Sequence, residues 1–328
     1  MMMPKRISSL VALLLGSCTG PHSDQNTVVV YVSADEQIAR QIFDAYTNKT
    51  GVVVEWVGDT ESTKTTALVQ RILREKNNPV ADVFWSSEIL GTIQLARHDA
   101  LAPCTAQRFK EWPSEYRDSE YLWFGFSPRA RVVAYDPVVT DVSELPLYWW
   151  QYDTAVIADP RFGTTFTHVS VMASFPTRRD ELFKRMNNAT YLGGNSATVQ
   201  AVVDGVAKYA MTDSDDVYAS QARGNSVAMY MPRHHDGVGG GTLLIPNTVA
   251  ILQGCKHPIN AEAFAAFLLS DEVAILLANS DSRNFPLQDS VKEMFPRLII
   301  DDPLEVDFSV AEEYSAEAVQ HTMELLAK

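Results

Sequence analysis

Strand and helix patterns alternate along the sixty residues that follow Asn26, and this alternation constrains the fold more than any other feature. Residues 27–32 (T-V-V-V-Y-V) are a continuous β-branched run, typical of a strand buried on both faces of a parallel sheet. The alternation continues with a helix from a capping box at 33–36 to a stop at Gly51, a strand at 52–57, a helix at 62–76 and a strand at 80–85. This order predicts an α/β sheet whose ligands lie beyond the carboxyl ends of its strands.

The rest of the chain continues the same mixed pattern. Buried strands are expected at 131–135, 155–158, 209–212, 227–231 and 248–252, with helices at 261–277 and 312–327. The chain has 328 residues, and domains average about 150 residues. We therefore predict two α/β lobes around a central cleft.

The charge balance excludes one class of partner. The chain has 27 Lys and Arg against 41 Asp and Glu, a formal net charge of −14, and such a surface repels phosphate backbones and anionic lipid head groups. Nucleic acid is therefore not an expected partner. No run after the first residues approaches the roughly 18 apolar residues of a membrane span.

The N-terminus has the pattern of a targeting segment. Residues 1–17 combine a positive end at Lys5 and Arg6 with a short apolar run at 10–15. The following L-G-S-C resembles the lipobox of bacterial lipoproteins, in which the cysteine, here Cys18, is lipidated. The alternative is an ordinary secretory signal with a chance cysteine. Residues 18–26 are polar and predict a tether. We expect a periplasmic or cell-surface protein that a lipid alone attaches to the membrane.

Two cysteines remain in the exported body, Cys104 and Cys255. An oxidising compartment allows them to form a disulfide. The alternative is a pair of free thiols, because sequence does not show whether their Cα atoms lie within bridging distance.

Five segments in order resemble solute-binding proteins of ATP-driven (ABC) importers, specifically the group of periplasmic ferric-iron-binding proteins. They are V-Y-V-S-A-D-E at 30–36, A-D-V-F-W-S-S-E at 81–88, R-A-R-V-V-A-Y-D at 129–136, N-S-A-T-V-Q-A-V-V-D-G at 195–205 and L-I-P-N-T at 244–248. The resemblance implies a two-lobed periplasmic-binding-protein fold with crossing hinge strands. It also implies that lobe 1 is formed by 27–128 and 245–290, and lobe 2 by 129–244 and 291–328.

The same resemblance shows where the iron ligands differ. The family's histidine position is Asp35 here, and its Tyr-Tyr pair is Asp215-Asp216. The family's glutamate aligns with Ser87, followed by Glu88. Because phenolates give ferric iron its affinity and colour, a fold-level iron assignment does not transfer directly.

The acids near the predicted cleft favour a cation. Asp213, Asp215 and Asp216 follow a predicted strand, and three neighbouring carboxylates repel one another unless a positive group binds. With Asp35 and Glu88 they form an all-oxygen set suited to Fe(III), Ca²⁺, Mg²⁺ or Mn²⁺. The metal ligands we predict are Asp35, Glu88, Asp215 and Asp216. The alternatives are a solvated acidic turn for the cluster and a helix-dipole role for Asp35.

A second set of residues favours an anion. Arg129 lies at the predicted lobe crossing with Arg131, Thr164 and Thr165 follow a turn, and Asn195 opens a helix whose free N–H groups suit an oxyanion. In the resembling iron binders a phosphate or carbonate completes the metal shell. The same groups could instead hold the phosphate of an organic solute such as a sugar phosphate or aminophosphonate. Interlobe salt bridges and a simple turn are the other interpretations.

The family motifs complete the predicted ligand-binding set with Ser33, Ser86 and Ser87. Two further polar residues, His234 and His235, are neighbours in a strand, and we expect them to point to opposite faces. We expect His168 to line the cleft beside Thr164 and Thr165.

Catalytic motifs are absent from the sequence. It has no G-x-S-x-G elbow, no H-E-x-x-H helix, no P-loop and no Rossmann glycine fingerprint. We therefore predict a binding protein, without enzymatic activity or enzyme cofactor, that delivers a metal ion or small solute to an ABC permease and is a monomer. A sensor with the same trap and an exported hydrolase are the other classes considered.

Overall fold

The structure is a computed structural model that describes residues 26–59 and 65–326. The predicted signal segment, Cys18 and the tether up to residue 25 lie outside the described residues. The strands of the described residues are β1 Thr27–Val32, β2 Val53–Gly58, β3 Val83–Ser86, β4 Leu101–Ala102, β5 Phe124–Tyr135, β6 Val156–Ala158, β7 Thr190–Leu192, β8 Tyr209–Asp213, β9 Ala228–Tyr230 and β10 Leu244–Leu252.

Thirteen α-helices alternate with these strands among the described residues. They are α1 Glu36–Thr50, α2 Thr66–Glu75, α3 Leu90–Arg97, α4 Gln107–Lys110, α5 Gly163–Ser174, α6 Arg179–Asn188, α7 Asn195–Val203, α8 Ser214–Ala222, α9 Pro258–Leu268, α10 Asp271–Asn279, α11 Asp289–Lys292, α12 Phe308–Glu313 and α13 Ser315–Leu326. No helix within residues 26–59 and 65–326 is long and apolar enough to cross a membrane.

The strands form one continuous mixed sheet in the order β2-β1-β3-β10-β5-β8-β6-β7, with β4 beside β10 and β9 beside β5. At one end β1 pairs parallel with β2 and β3. At the other end β6 pairs parallel with β7 and β8. The predicted α/β class is confirmed, because each end is a parallel α/β unit with helices in its connections.

The strand β5 joins the two ends of the sheet. Its first half, from Phe124 to Ala130, pairs antiparallel with β10, and its second half, from Arg131 to Tyr135, pairs with β8. The register of the β5–β10 pair shifts between Ile245 and Asn247. The crossing therefore lies at Arg129 to Arg131, so both arginines stand where the two ends of the sheet meet.

Several predicted boundaries were wrong for identifiable physical reasons. The predicted helix at 261–277 is two helices, because the Ser270 hydroxyl accepts a hydrogen bond from the Val273 N–H and begins α10. The helix at 312–327 is likewise divided at Tyr314 between α12 and α13. The capping box at 33–36 does not form, since α1 begins after Asp35 without a side-chain cap bond. Gly51 does end α1, in the left-handed conformation at φ 74°.

Strand β5 also begins seven residues earlier than predicted, at Phe124 rather than Arg131. The sequence F-G-F-S-P-R conceals it, because Pro128 lacks an N–H and Gly125 lowers β propensity. Ser127 has a positive φ of 39°, so the strand is irregular at this point. This part of β5 is nonetheless entirely buried.

The cores are dominated by the sheet valines and aromatic rings. In the first part of the chain Phe43 packs against Trp85 and Phe264, with ring centroids 6.0 and 5.9 Å apart. In the middle part Val132 and Val199 share a buried cluster with Phe285. The C-terminal helices α12 and α13 pack on α5. The lobe boundaries given above stay a prediction.

Cys104 is buried, Cys255 is half-buried, and both are free thiols in the structure. Burial raises the pKa of Cys104 to about 12 and that of Cys255 to about 11. Their disulfide stays a prediction.

Candidate functional site

The carboxyl ends of strands from both ends of the sheet open into one small cleft of about 50 Å³. A water needs about 10–15 Å³, so the cleft has room for a few water-sized ligands. Of the predicted ligand-binding residues, those that line it are Asp35, Ser87, Arg129, Thr164, Thr165, Asn195, Asp213, Asp215 and Asp216. Ser33, Ser86 and Glu88 do not line it.

The three predicted acids form a cluster where β8 passes into α8. One carboxylate oxygen from each of Asp213, Asp215 and Asp216 lies within 4.8 Å of the others. Asp213 is the last residue of β8, and the other two occupy the first turn of α8. The helix dipole favours negative charge at this position, which lowers the cost of keeping three acids together.

Asp213 is fully engaged by the protein. Its Oδ1 accepts a hydrogen bond from Nη1 of Arg131 at 2.8 Å, and Arg131 is the residue opposite it in the β5–β8 pair. Its Oδ2 accepts from Nδ2 of Asn195 at 2.8 Å and from the Thr164 hydroxyl. Because Arg131 is 0% exposed, this is a buried ion pair that organises the floor of the cleft.

Asp215 faces the other buried arginine. Nε of Arg129 lies 3.0 Å from Oδ2 of Asp215. The guanidinium also donates to the Ser87 carbonyl at 2.6 Å and to Oδ1 of Asn247 at 3.1 Å. Burial would lower the pKa of Arg129, but the neighbouring carboxylates, Asp215 first, outweigh it and raise that pKa. Arg129 therefore partly neutralises the acid cluster.

Asp216 and Asp35 are the more accessible acids of the cleft. Oδ1 of Asp216 accepts a hydrogen bond from the Ser196 hydroxyl at 2.6 Å. Asp35 is exposed at the beginning of α1, and its charge acts on Arg129. The cleft thus brings Asp35, from the first part of the sheet, opposite the acids that follow β8.

Two helices direct their N-termini at the cleft. Gly163, Thr164 and Thr165 form the first turn of α5, and Asn195 begins α7. The first N–H groups of a helix have no acceptor within the helix, and the dipole makes such a terminus favourable for an anion. Gly163 has φ +57°, a conformation that favours glycine at this turn.

The predicted serines form a hydroxyl cluster beneath the cleft. The Ser33 Oγ lies 3.5 Å from the Ser86 Oγ and 3.3 Å from the Ser87 Oγ. It accepts hydrogen bonds from the Ser87 N–H at 2.8 Å and from the Thr65 hydroxyl at 3.1 Å. These bonds join the ends of β1 and β3, so Ser33 and Ser86 support the cleft wall to which Ser87 belongs.

Glu88 is only 1% exposed and is held by three donors. Its carboxylate accepts from the N–H groups of Leu90 at 2.7 Å and Gly91 at 2.9 Å, in the first turn of α3. The Thr167 hydroxyl of α5 donates to it at 2.9 Å. Burial outweighs these hydrogen bonds and raises the pKa of Glu88 to about 7. Glu88 therefore links α3 to α5 instead of facing the cleft.

Some contributors were not predicted. Asn247 positions Arg129 and donates to the Ser127 carbonyl at 2.7 Å, and Phe162 and Gly194 line the cleft. The L-I-P-N-T segment was a signal for Asn247, because it was already part of the family pattern. The predicted strand at His234 and His235 was wrong, because β9 ends at Tyr230 and both histidines lie in the bend that follows it; His234 is buried and His235 is partly exposed. His168 does not line this cleft but a cavity that shares Thr165 with it.

The fold and the cleft together define a binding protein with two α/β halves, joined by crossing strands, around a polar ligand site. The chain belongs to the family of bacterial extracellular solute-binding proteins, whose pattern it matches over residues 32–275.

Individual relatives are similar over most of their length. The Fe(3+)-binding periplasmic protein of Serratia marcescens is 25% identical over 302 residues, which cover 85% of this chain and 86% of the relative. The major ferric iron-binding protein of Neisseria gonorrhoeae is 25% identical over 281 residues, 80% of this chain and 81% of the relative.

Solved structures confirm the two-lobed fold. Iron-bound HitA from Pseudomonas aeruginosa superposes with a TM-score of 0.78 at 22% identity, covering 91% of this chain and 99% of HitA. The periplasmic binding protein AfuA from Actinobacillus pleuropneumoniae, with fructose-6-phosphate bound, gives 0.72 at 16% identity, covering 91% and 96%.

Proposed function

We propose that this protein is the extracytoplasmic receptor of an ABC importer and that its cargo is ferric iron, or another hard cation, bound together with a small anion. The observation that carries the proposal is the cluster of Asp213, Asp215 and Asp216, whose oxygens approach within 4.8 Å at the cleft. The ferric-iron-binding relatives support this choice of cargo.

The contacts of the four acids suggest different roles for them. Asp213 is committed to Arg131, Asn195 and Thr164, so it would hold the site in shape. Asp215 and Asp216 would bind the cation, with Asp35 added from the facing wall. Carboxylate oxygens are the ligands that hard cations prefer. For Asp215 to bind, Arg129 would have to release it and turn toward the bound anion.

The anion would occupy the N-termini of α5 and α7. Thr164, Thr165 and Asn195 lie there beside the acids, and helix N–H groups stabilise phosphate or carbonate. An anion at this position would also satisfy Arg129 once Asp215 binds the cation. Glu88 was predicted as a metal ligand, but its three donors favour a structural role in our proposal.

The cellular setting follows from the N-terminus and the family. We propose that residues 1–17 are removed, that Cys18 carries a lipid, and that the chain acts as a monomer in the periplasm or at the cell surface. Its partner would be the membrane permease, which selects the closed and loaded form. The chain carries no motif for chemistry on the cargo, so binding and release would be its whole activity.

One observation favours a second candidate, a phosphorylated or zwitterionic organic solute. Arg129 and Arg131 place two buried guanidinium groups beside the two helix N-termini, and guanidinium pairs well with phosphate. The acids would then bind the hydroxyl or ammonium groups of the solute. AfuA, which has a similar fold, has fructose-6-phosphate bound in its structure, and this supports the second candidate.

Thermal unfolding of chelator-stripped protein distinguishes the two candidates. Ferric citrate, Mn²⁺, Ca²⁺, phosphate, sugar phosphates and aminophosphonates would be compared. At a hundredfold excess over Kd a true ligand stabilises by about 2.7 kcal/mol. We expect a shift with iron and its anion. A rise in melting temperature with an organic phosphate and none with any metal would contradict the iron proposal and favour an organic phosphate as the cargo.

A further inference from the structure

A second cavity of about 30 Å³ is lined by Arg131, the residue whose Nη1 donates to Asp213 of the acid cluster. It shares Thr165 with the cleft but is otherwise separate from it. Its polar lining consists of Arg131, Trp149, Thr165, His168 and Arg185, and the rest of its wall is apolar. The proposed cargo site makes no use of this cavity.

The polar side chains around this cavity have nitrogen atoms without a partner among the described residues. They are Nε of Arg131, Nε of Arg185, Nε1 of Trp149 and Nε2 of His168. Arg131 is 0% exposed, and Trp149 and His168 are each 4% exposed. Buried polar groups are almost always hydrogen-bonded, so four unpartnered nitrogens around one cavity indicate a ligand.

The chemistry of these nitrogens indicates that the ligand is an anion. Guanidinium and indole N–H groups donate and never accept. Arg131 directs its Nη1 to Asp213, and Arg185 directs its Nη1 to Asp153 at 3.3 Å. Each arginine thus engages a carboxylate at one end and keeps an Nε–H unpaired.

His168 adds an adjustable donor and no positive charge. Burial, then Arg131 and His234, lower its pKa well below the usual value. Its ring stands edge-on to Trp149 and to His234, with centroids 5.1 Å away in each case. The ring is therefore neutral at pH 7, held in place, and able to offer Nε2–H in one of its tautomers.

We propose that this cavity binds a single monatomic anion of the halide class, such as chloride. An anion can accept hydrogen bonds from every donor around the cavity. A water also has two protons of its own that need acceptors, and the lining side chains offer chiefly donors. A volume of about 30 Å³ holds one or two water-sized species. That size suits a halide.

The halide would stabilise the floor of the cargo cleft through Arg131. The same guanidinium donates to Asp213, which also accepts from Asn195 and Thr164. An anion beside Nε would partly neutralise the Arg131 guanidinium and keep that side chain in position to donate to Asp213. The inference does not depend on the identity of the cargo.

Thermal unfolding of the purified protein in sodium chloride and in sodium gluconate at equal ionic strength tests the proposal. We expect a saturable rise in Tm in chloride, about 5 °C at a hundredfold excess over Kd. Trp149→Phe keeps an aromatic ring at this position and removes the indole N–H donor, so the chloride Kd should rise about ten- to a hundredfold. Trp150→Phe is the matched control, because Trp150 does not line the cavity, and its Kd should stay unchanged.

Bromide gives a test that needs no variant. Crystals of the protein grown in bromide should show an anomalous peak between Arg131, Arg185 and Trp149. Equal melting temperatures in chloride and gluconate, or a bromide crystal without that peak, would overturn the proposal and assign the cavity to water.

Discussion

At the scale of single residues, the two buried arginines determine what each acid can do. Arg131 and Asp213 form an ion pair with side-chain exposures of 0% and 3%, whereas Arg129 and Asp215 are 8% and 16% exposed. Removing one partner of a buried pair leaves the other charge uncompensated. Asp213 should therefore matter for stability, and Asp215 for binding.

We expect Asp213→Ala to destabilise the fold by about 3–5 kcal/mol, because Arg131 would remain buried without its carboxylate. Asp216→Ala, on the accessible side of the cluster, should cost less than 1 kcal/mol, since it loses one exposed hydrogen bond from Ser196. Urea unfolding of both variants without ligand measures the difference. Equal losses would show that Asp213 is not a structural residue.

The raised pKa of Glu88 predicts that the stability of the fold decreases as the pH rises. Its pKa is raised from 4.5 to about 7 by burial, so the folded state binds a proton more tightly than the unfolded chain. The contribution of Glu88 to stability is fully present below pH 4.5 and is lost as the pH rises through about 7.

We expect Glu88→Gln, which mimics the protonated form, to keep its stability as the pH rises, whereas the wild type loses stability. The free energy of unfolding of the variant minus that of the wild type should therefore increase by a few kcal/mol between pH 5 and pH 8. Urea unfolding at several pH values checks this. Parallel pH profiles for the two proteins would mean that Glu88 is not the group that titrates.

At the scale of elements, the site depends on where strands end and helices begin. Asp213 ends β8 and the other two acids follow it, Ser33 and Ser87 follow β1 and β3, and the N-termini of α5 and α7 close the opposite side. The first turn of α5 depends on Gly163, whose φ of +57° places the N–H groups of Thr164 and Thr165 at the cleft.

Substituting Gly163 should strain this turn. A Cβ at Gly163 would meet no atom within 4 Å, so the effect of Gly163→Ala is conformational and should cost about 1–2 kcal/mol. We also expect weaker binding of phosphate or carbonate with the cation, because the N–H groups would shift. Unfolding and anion-dependent loading measure the two effects. Gly205→Ala, which also has positive φ and free space but lies away from the cleft, is the control for strain alone.

The order of elements could be predicted well from the sequence, because apolar runs and turn residues are local signals. Residues 27–32 correspond to β1 without change. Burial explains one element that was missed, because β5 extends through Gly125 and Pro128 in the core, and a local cap explains another, because Ser270 begins α10 within a continuous helical pattern. At the site, chain order brought most ligand candidates to one cleft, but it could not reveal that Glu88 would be buried against α3 and α5.

At the scale of the whole molecule, one sheet joins two α/β halves, and the cleft lies where they meet. The Glu88–Thr167 hydrogen bond at 2.9 Å and the Arg129–Asp215 pair at 3.0 Å connect elements on the two sides of the crossing. Cargo binding at Asp35 and Asp216 would add contacts of the same kind. Closure would thus be stabilised by the cargo itself, as a receptor that presents only its loaded form requires.

The replacement of a tyrosine pair by Asp215 and Asp216 has a visible consequence. Iron held by carboxylates lacks the phenolate ligands that give the resembling iron binders their colour. We expect iron-loaded protein to be essentially colourless in the visible range. A strong visible band would indicate that a tyrosine such as Tyr218 of α8 takes part in iron binding.

Iron content after loading measures whether Asp215 and Asp216 bind the cation. Chelator-stripped protein would be loaded with ferric citrate and phosphate, desalted and analysed for metal, beside Asp215→Asn/Asp216→Asn and a control, Asp44→Asn/Glu55→Gln, with the same loss of charge on exposed acids. We expect about one iron per chain for wild type and the control, and a loss of about tenfold or more for the cleft variant. Equal iron content in all three would contradict the assignment of the cation to Asp215 and Asp216.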